Sequence, residues 1–273
     1  MNIEYYCPRW GSFDLSLRDF FEKAKSEGYD GVEIPVFEDL DGSTDHVNDL
    51  LEEYDLKLIA QQWMPYKKQT IREYMDDFEN RIHHLVEFSP EFINSHTGRD
   101  YFSVEQNSKI FERAFELSEK FNISIIHETH RGRALFSTHT AKTYFDAFKE
   151  LKINADFSHW CVVSESLLED QPDIIEEACK RSSHIHARVG ASQTPQVNHP
   201  AAPENQEAVR AHLKWWQNII DKRKAENHHT FTITLEFGPQ PYLPTLPFTN
   251  KPMVDQWEIN VFMMHFLREH LDV

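Results

Sequence analysis

The chain has 273 residues, 40% of them hydrophobic, and a formal net charge of −17 at pH 7. Such a charge excludes a broad nucleic-acid surface, because a duplex is bound first through its phosphates. No apolar run approaches the roughly 20 residues of a membrane span, and the opening "MNIEYYCPRW" has no basic region followed by an apolar stretch, so no signal peptide is expected.

Apolar, β-type runs alternate with amphipathic stretches from end to end. "NIEYYC" reads as a strand and "LSLRDFFEKAKSEG" as a helix, with Leu17, Phe20, Phe21 and Ala24 on one apolar face. "GVEIPV" and "TDHVNDLLEEYD" repeat the theme, as do "LKLIAQQW" and "TIREYMDDFENRIHHLVEF". "EFINSHTG" precedes "VEQNSKIFERAFELSEKFN", where Ile110, Ala114, Leu117 and Phe121 share a face. The strand-like runs "ISIIHETH", "INADFSHW" and "HIHARVG" are followed by the helical "HTAKTYFDAFKEL", "DIIEEACKR" and "EAVRAHLKWWQNIIDKRKAE". "FTITLEFG" and the helix "VDQWEINVFMMHFLREHL" close the chain.

Eight strand–helix alternations in a chain of this size predict a (β/α)8 TIM barrel. Residues 1–273 are expected to form one domain, since no linker, repeat or change of composition divides them. Closure requires "FTITLEFG" to pair with "NIEYYC" as well as with "HIHARVG". The rival is a doubly wound open sheet, but "CPRWGS" carries a single glycine after the first strand, so the phosphate-cradling turn of that fold is missing. Cys7, Cys161 and Cys179 are scattered, without C-x-x-C spacing, which suits free thiols in a reducing cytoplasm.

Barrel active sites form at the C-terminal ends of the strands. Strand five ends in Glu128, strand six in Asp156 and strand eight in Glu236. Strand seven carries His184 and His186, which alternate to the same face because the strand period is two. Crowded carboxylates cannot all ionise without a cation. An oxygen-rich set with one imidazole suits one divalent ion, Mn, Mg or Co, and can also hold Zn. Taken singly, each residue is more simply a helix cap, a rim ion pair or a core histidine. Their concurrence on neighbouring strands favours the metal.

"HETHR", "DFSHW", "HIHARVG" and "LEFGP" resemble the metal-binding segments of the xylose-isomerase-like barrel superfamily. That superfamily includes ketose 3-epimerases, hydroxypyruvate isomerase, inosose dehydratase and type IV apurinic endonucleases. The resemblance implies that Glu128, Asp156, His186 and Glu236 are the metal ligands, with His186 preferred to His184. It also implies that His159 contacts substrate, and that Glu128 and Glu236 double as the proton-transferring pair. The implied activity is isomerisation or epimerisation of a sugar or sugar acid through a metal-stabilised enediolate. The alternative is a lyase, a dehydratase or eliminase of a keto-sugar, on the same site. A non-catalytic sugar sensor would not need the intact ligand set. The endonuclease branch offers a role for His96 as its strand-four ligand, but its strand-three His and its Asp-x-His are missing here.

The chain also departs from the epimerases. Where they carry a second glutamate after the strand-five ligand, Arg131, Gly132, Arg133 and Ala134 stand instead, and Arg188 follows His186 by only two residues. Arg99, Arg131, Arg133 and Arg188 could gather at the rim and match an anionic substrate, a carboxylate above all, or could pair with the rim's own carboxylates. His96 is a further candidate substrate contact. Trp10, Trp63 and Trp160 stand near strand ends, placed either to stack on a sugar ring or to pack as caps. The expected partner is a small carbohydrate, with no nucleic acid and no membrane; a homo-oligomer is compatible with the sequence.

Overall fold

The first and last strands of the series lie side by side. A computed structural model describes residues 1–36, 42–65 and 67–273. Its strands are β1 (Asn2–Pro8), β2 (Gly31–Ile34), β3 (Lys57–Gln62), β4 (Phe92–Ser95), β5 (Ile125–Glu128), β6 (Ile153–Ala155), β7 (Ser182–His186) and β8 (Thr230–Thr234). They form a closed barrel in sequence order. β8 pairs in parallel with β1 from Asn2↔Thr230 to Tyr6↔Thr234, and with β7 through Ile185↔Ile233 and His186↔Thr234. An open sheet is thereby excluded, and the (β/α)8 expectation stands.

The helices are α1 (Leu17–Ser26), α2 (Thr44–Glu53), α3 (Ile71–Val86), α4 (Val104–Phe121), α5 (Thr138–Ala147), α6 (Phe157–Ser164), α7 (Pro172–Arg181), α8 (Gln206–Ala225) and α9 (Gln256–His270). Short polar side chains start several of them. Ser103 Oγ accepts from the Gln106 N–H at 3.1 Å while Gln106 Oε1 accepts from the Ser103 N–H at 3.0 Å, so two otherwise orphaned donors are satisfied at the head of α4. Asn122 ends the same helix in the left-handed region at φ 53°, a conformation asparagine tolerates. The apolar faces read from the sequence turn inward: Leu17, Phe20, Phe21 and Ala24 of α1 and Ile110, Ala114 and Leu117 of α4 are buried, with Phe121 packed half-buried against the core.

Alternation along β5 sets what faces where. His127 points outward, edge-on to Phe111 and Phe115 of α4, so Glu128 points into the barrel. "INADFSHW", expected as one strand, divides. β6 stops at Ala155, and Asp156 caps α6 by accepting from the Ser158 N–H at 3.2 Å. A capping aspartate followed by serine offers the backbone a local partner that competes with the ladder. β8 likewise ends at Thr234, two residues before Glu236. The three cysteines are buried and in no disulfide. Among the described residues no helix is long and apolar enough to cross a membrane.

Candidate metal centre and substrate cavity

The site is built on a polar floor inside the barrel. Glu33 of β2, fully enclosed, accepts from Asn94 Nδ2 at 2.8 Å and Thr234 Oγ1 at 2.6 Å, and lies 2.9 Å from His186 Nε2. Burial alone would raise its pKa. The charge on His186 and the hydrogen bonds from His184 and His186 outweigh burial and hold the carboxyl well below its usual range. An ionised Glu33 fixes the His186 ring, with Nε2–H on the carboxylate and Nδ1 aimed at the strand ends. A carboxylate behind the imidazole is the usual way a metal-binding histidine is oriented and made more basic.

Above this floor, Glu128, Asp156, His186 and Glu236 converge, with one ligand-type atom from each lying within 4.8 Å of the others. All four are buried. His186 Nδ1 is 2.8 Å from Glu236 Oε2 and 3.5 Å from Glu128 Oε2. Glu128 Oε1, Glu236 Oε2 and His186 Nδ1 make no hydrogen bond, although buried polar atoms are nearly always satisfied. The charges conflict as well. Burial and the repulsion of Glu236 and Glu128 push Asp156 up to about 7, against the pull of Arg188. Burial also opposes ionisation of Glu128, but the charges of His96 and His186 overcome it and lower its pKa. A divalent cation among these atoms would satisfy the orphaned donors and relieve the repulsion, so this donor set fits one hard or borderline ion.

Two further clusters adjoin the quartet. Glu33, His184 and His186 form one; His96, Glu128 and His130 form the other. His184 is engaged by the floor, with Nδ1 2.7 Å from Thr232 Oγ1 and Nε2 3.0 Å from Thr234 Oγ1, so of the two histidines of "HIHARVG" only His186 reaches the quartet.

A cavity of about 860 Å³ opens over the quartet at Glu236. Trp10, Trp63, His96, Arg131, Arg133 and Arg188 line it, as expected of residues at the strand ends. His96 Nε2 also sits 3.0 Å from Glu128 Oε2. Arg131 and Arg188 lie over the Tyr242 ring, at 4.9 and 4.7 Å from its centroid. Arg188 turns to the carboxylates as well: its Nη2 bonds Asp156 and lies 3.3 Å from Glu236 Oε2. Arg133 donates to the Met64 carbonyl at 3.3 Å, and Arg99 to the Pro65 carbonyl at 2.8 Å.

Two residues read as site candidates lie elsewhere. His159 is fully buried below the cavity, 2.8 Å from Arg188 Nη2, with its ring 3.9 Å from that of His130. Trp160 is packed in the shell, stacked on Phe157 and donating to the Leu135 carbonyl at 2.9 Å. Its place in α6 turns it away from the barrel mouth.

The sequence reading passed over Glu33, Asn94, His130 and Tyr242. Glu33 had a signal, a carboxylate inside the apolar run "GVEIPV". His130 stands two residues after Glu128, the strand repeat. Asn94 and Tyr242 carried none.

No family model and no curated protein matches this chain. Solved structures do. The D-allulose 3-epimerase of Methylomonas sp., in complex with D-allulose, is similar over 98% of this chain and 97% of its own, with a TM-score of 0.65 at 13% identity. An L-ribulose 3-epimerase is similar over 99% and 95%, with a TM-score of 0.69 at 10% identity. A xylose isomerase domain-containing protein of Salmonella typhimurium is similar over 100% of both chains, with a TM-score of 0.65 at 16% identity. The fold is therefore the xylose-isomerase-like (β/α)8 barrel, as the resemblance of the motifs implied.

Proposed function

We propose that the protein is a divalent-metal-dependent isomerase or epimerase of a sugar or sugar acid, working through an enediolate. The observation that carries this reading is the convergence of Glu128, Asp156, His186 and Glu236, with buried unpartnered atoms, beneath a cavity large enough for a monosaccharide. When bound, a Mn, Mg, Co or Zn ion would draw charge from adjacent carbonyl and hydroxyl oxygens of the substrate and acidify the C–H between them.

The protein's own groups do the rest. Glu128 and Glu236 stand on opposite sides of His186, so one can take the proton from the substrate carbon and the other can return one, from the opposite face in an epimerase. His96 and Asn94, both 3.0 Å from Glu128 Oε2, orient the first carboxylate, and Arg188, 3.3 Å from Glu236, steadies the second. Trp10, Trp63 and Tyr242 give the cavity apolar faces that exclude water and suit a sugar ring.

The test is metal analysis together with solvent deuterium exchange. Purified protein should hold one ion per chain and lose it in His186→Ala. Incubation with substrate in D₂O should place deuterium at the carbon beside the carbonyl, and Glu128→Gln or Glu236→Gln should abolish the exchange. Full metal occupancy in His186→Ala would remove the assignment, and an unsaturated product would make the enzyme a lyase.

A further inference from the structure

One wall of the cavity is made almost wholly of hydrogen-bond donors. Arg131, Arg133 and Arg188 line it with His96 and His130, against two lining carboxylates, Asp14 and Glu236. The chain as a whole carries a net charge of −17, so this concentration of guanidinium runs against its average. It is also costly. Arg133 and Arg188 are 0% and 1% exposed, and a buried guanidinium must recover its lost hydration from partners. Arg188 recovers much of it from Asp156 and Glu236. Arg131 lies on the face of Tyr242, which fixes the plane of its fork, and Arg133 is tied to the Met64 carbonyl.

Such a wall does not suit a neutral polyol. Each sugar hydroxyl both gives and takes a hydrogen bond, and sites for neutral sugars need acceptors in proportion. Here Gln61 is the one amide lining the cavity among the described residues. A carboxylate, by contrast, only accepts, and its planar pair of oxygens matches the planar fork of arginine two bonds at a time. The wall does not have the backbone cradle that favours phosphate. None of the described residues lining the cavity lies in the first turn of a helix.

We infer that the substrate is a sugar acid, with its carboxylate held by Arg131 and Arg133 and its ring carried over the metal quartet. The inference rests on the isomerase reading for what happens at the quartet, but the charge of the ligand follows from the wall alone. Arg188, already committed to Asp156 and Glu236, acts as a positioning residue.

The test is equilibrium binding, which needs no turnover. Metal-reconstituted protein is titrated calorimetrically with the methyl glycosides of glucuronate, galacturonate and mannuronate, with the methyl ester of each, and with glucose 6-phosphate and glucose 6-sulfate. The same titrations are run on Arg131→Gln and Arg133→Gln. At least one uronate should bind ten or more times more tightly than its own ester, lose that margin in Arg131→Gln, and weaken as salt is raised. Arg131 is half-exposed at the cavity and its variant should fold, so a failure of buried Arg133→Gln to fold leaves the test intact. Equal affinity for acid and ester, tighter binding of the phosphate or sulfate, no loss in Arg131→Gln, or no binding by any uronate would each overturn the inference. A failed metal or deuterium experiment with uronate binding intact would instead sink the isomerase reading and leave this one standing.

Discussion

Replacing Glu33 by glutamine probes the floor of the site without touching a proposed ligand. The carboxylate takes hydrogen bonds from Asn94 at 2.8 Å and Thr234 at 2.6 Å, and meets His186 Nε2 at 2.9 Å. An amide keeps one acceptor and turns an NH₂ group toward donors on its other side, so at least one charge-assisted bond is lost, at about 1.5–3 kcal/mol. His186 then loses the partner that selects its tautomer. Removing the group behind a metal-binding histidine typically weakens the metal by about tenfold to a hundredfold, or about 1.4–2.7 kcal/mol. Competition of the protein against a chromogenic chelator for Zn and Co reads that change directly. A second readout is the rise in melting temperature on adding a fixed excess of metal, which should shrink in Glu33→Gln because only native protein binds the ion. Glu33→Asp, which keeps the charge, should recover part of the affinity. If Glu33→Gln bound metal as wild type does, with only its metal-free stability lowered, Glu33 would be a structural acid and the ring of His186 would be held by other means.

Three further outcomes are expected. His212 is buried, with Nδ1 donating to the Ala208 carbonyl at 2.9 Å and Nε2 accepting from the Gly190 N–H at 3.3 Å, and burial lowers its pKa from 6.5 to about 4. The folded-state value lies below the unfolded one, so the neutral ring's contribution is complete above pH 6.5 and is lost as pH falls toward 4, by about 3 kcal/mol; urea denaturation at pH 7.5 and pH 4.5 should show a smaller acid loss in His212→Gln than in wild type. Ser103→Ala removes the cap of α4 and should cost about 1 kcal/mol in the same assay at pH 7.5, with metal affinity unchanged. In Gly238→Ala the new Cβ would fall 2.1 Å from Trp10 Cζ3, so Trp10 must leave its place on the cavity; KM should rise severalfold while metal affinity holds, and an unchanged KM would show that Trp10 does not contact substrate.

The barrel was legible because its signals are local and repeated. A strand is marked by a short aliphatic run and a helix by its 3.6-residue stripe, and both periods survive in almost every element here. "DFSHW" was misread for a local reason too. Three of its residues are apolar or aromatic in effect, as in a strand, yet Asp156 caps a helix, and the cap decides the conformation of the residues that follow. The convergence of Glu128, Asp156, His186 and Glu236 was legible because parallel strands deliver their last residues to one rim, whatever the distance between them in sequence.

What could not be read is the pairing across the barrel. Glu33 and His186 are 153 residues apart and sit on strands that are not neighbours in the sheet, so no periodicity or spacing relates them. Only closure of the barrel makes them partners. The arginines show the same limit. Strand alternation places Arg188 on the same side as His186, and that geometry made it a candidate for substrate. It equally places Arg188 against Asp156 of the adjacent strand, and the adjacent carboxylate is always present while substrate is not. Arg131 and Arg133 stand beyond the end of β5, where the turn rather than the strand sets their direction, and they line the cavity. Recognition of a variable ligand thus falls to residues past the strand ends, while residues within the strands are claimed by the metal-binding set and its floor. The specificity of this barrel is therefore to be sought in the turn after Glu128 and the segment around Tyr242.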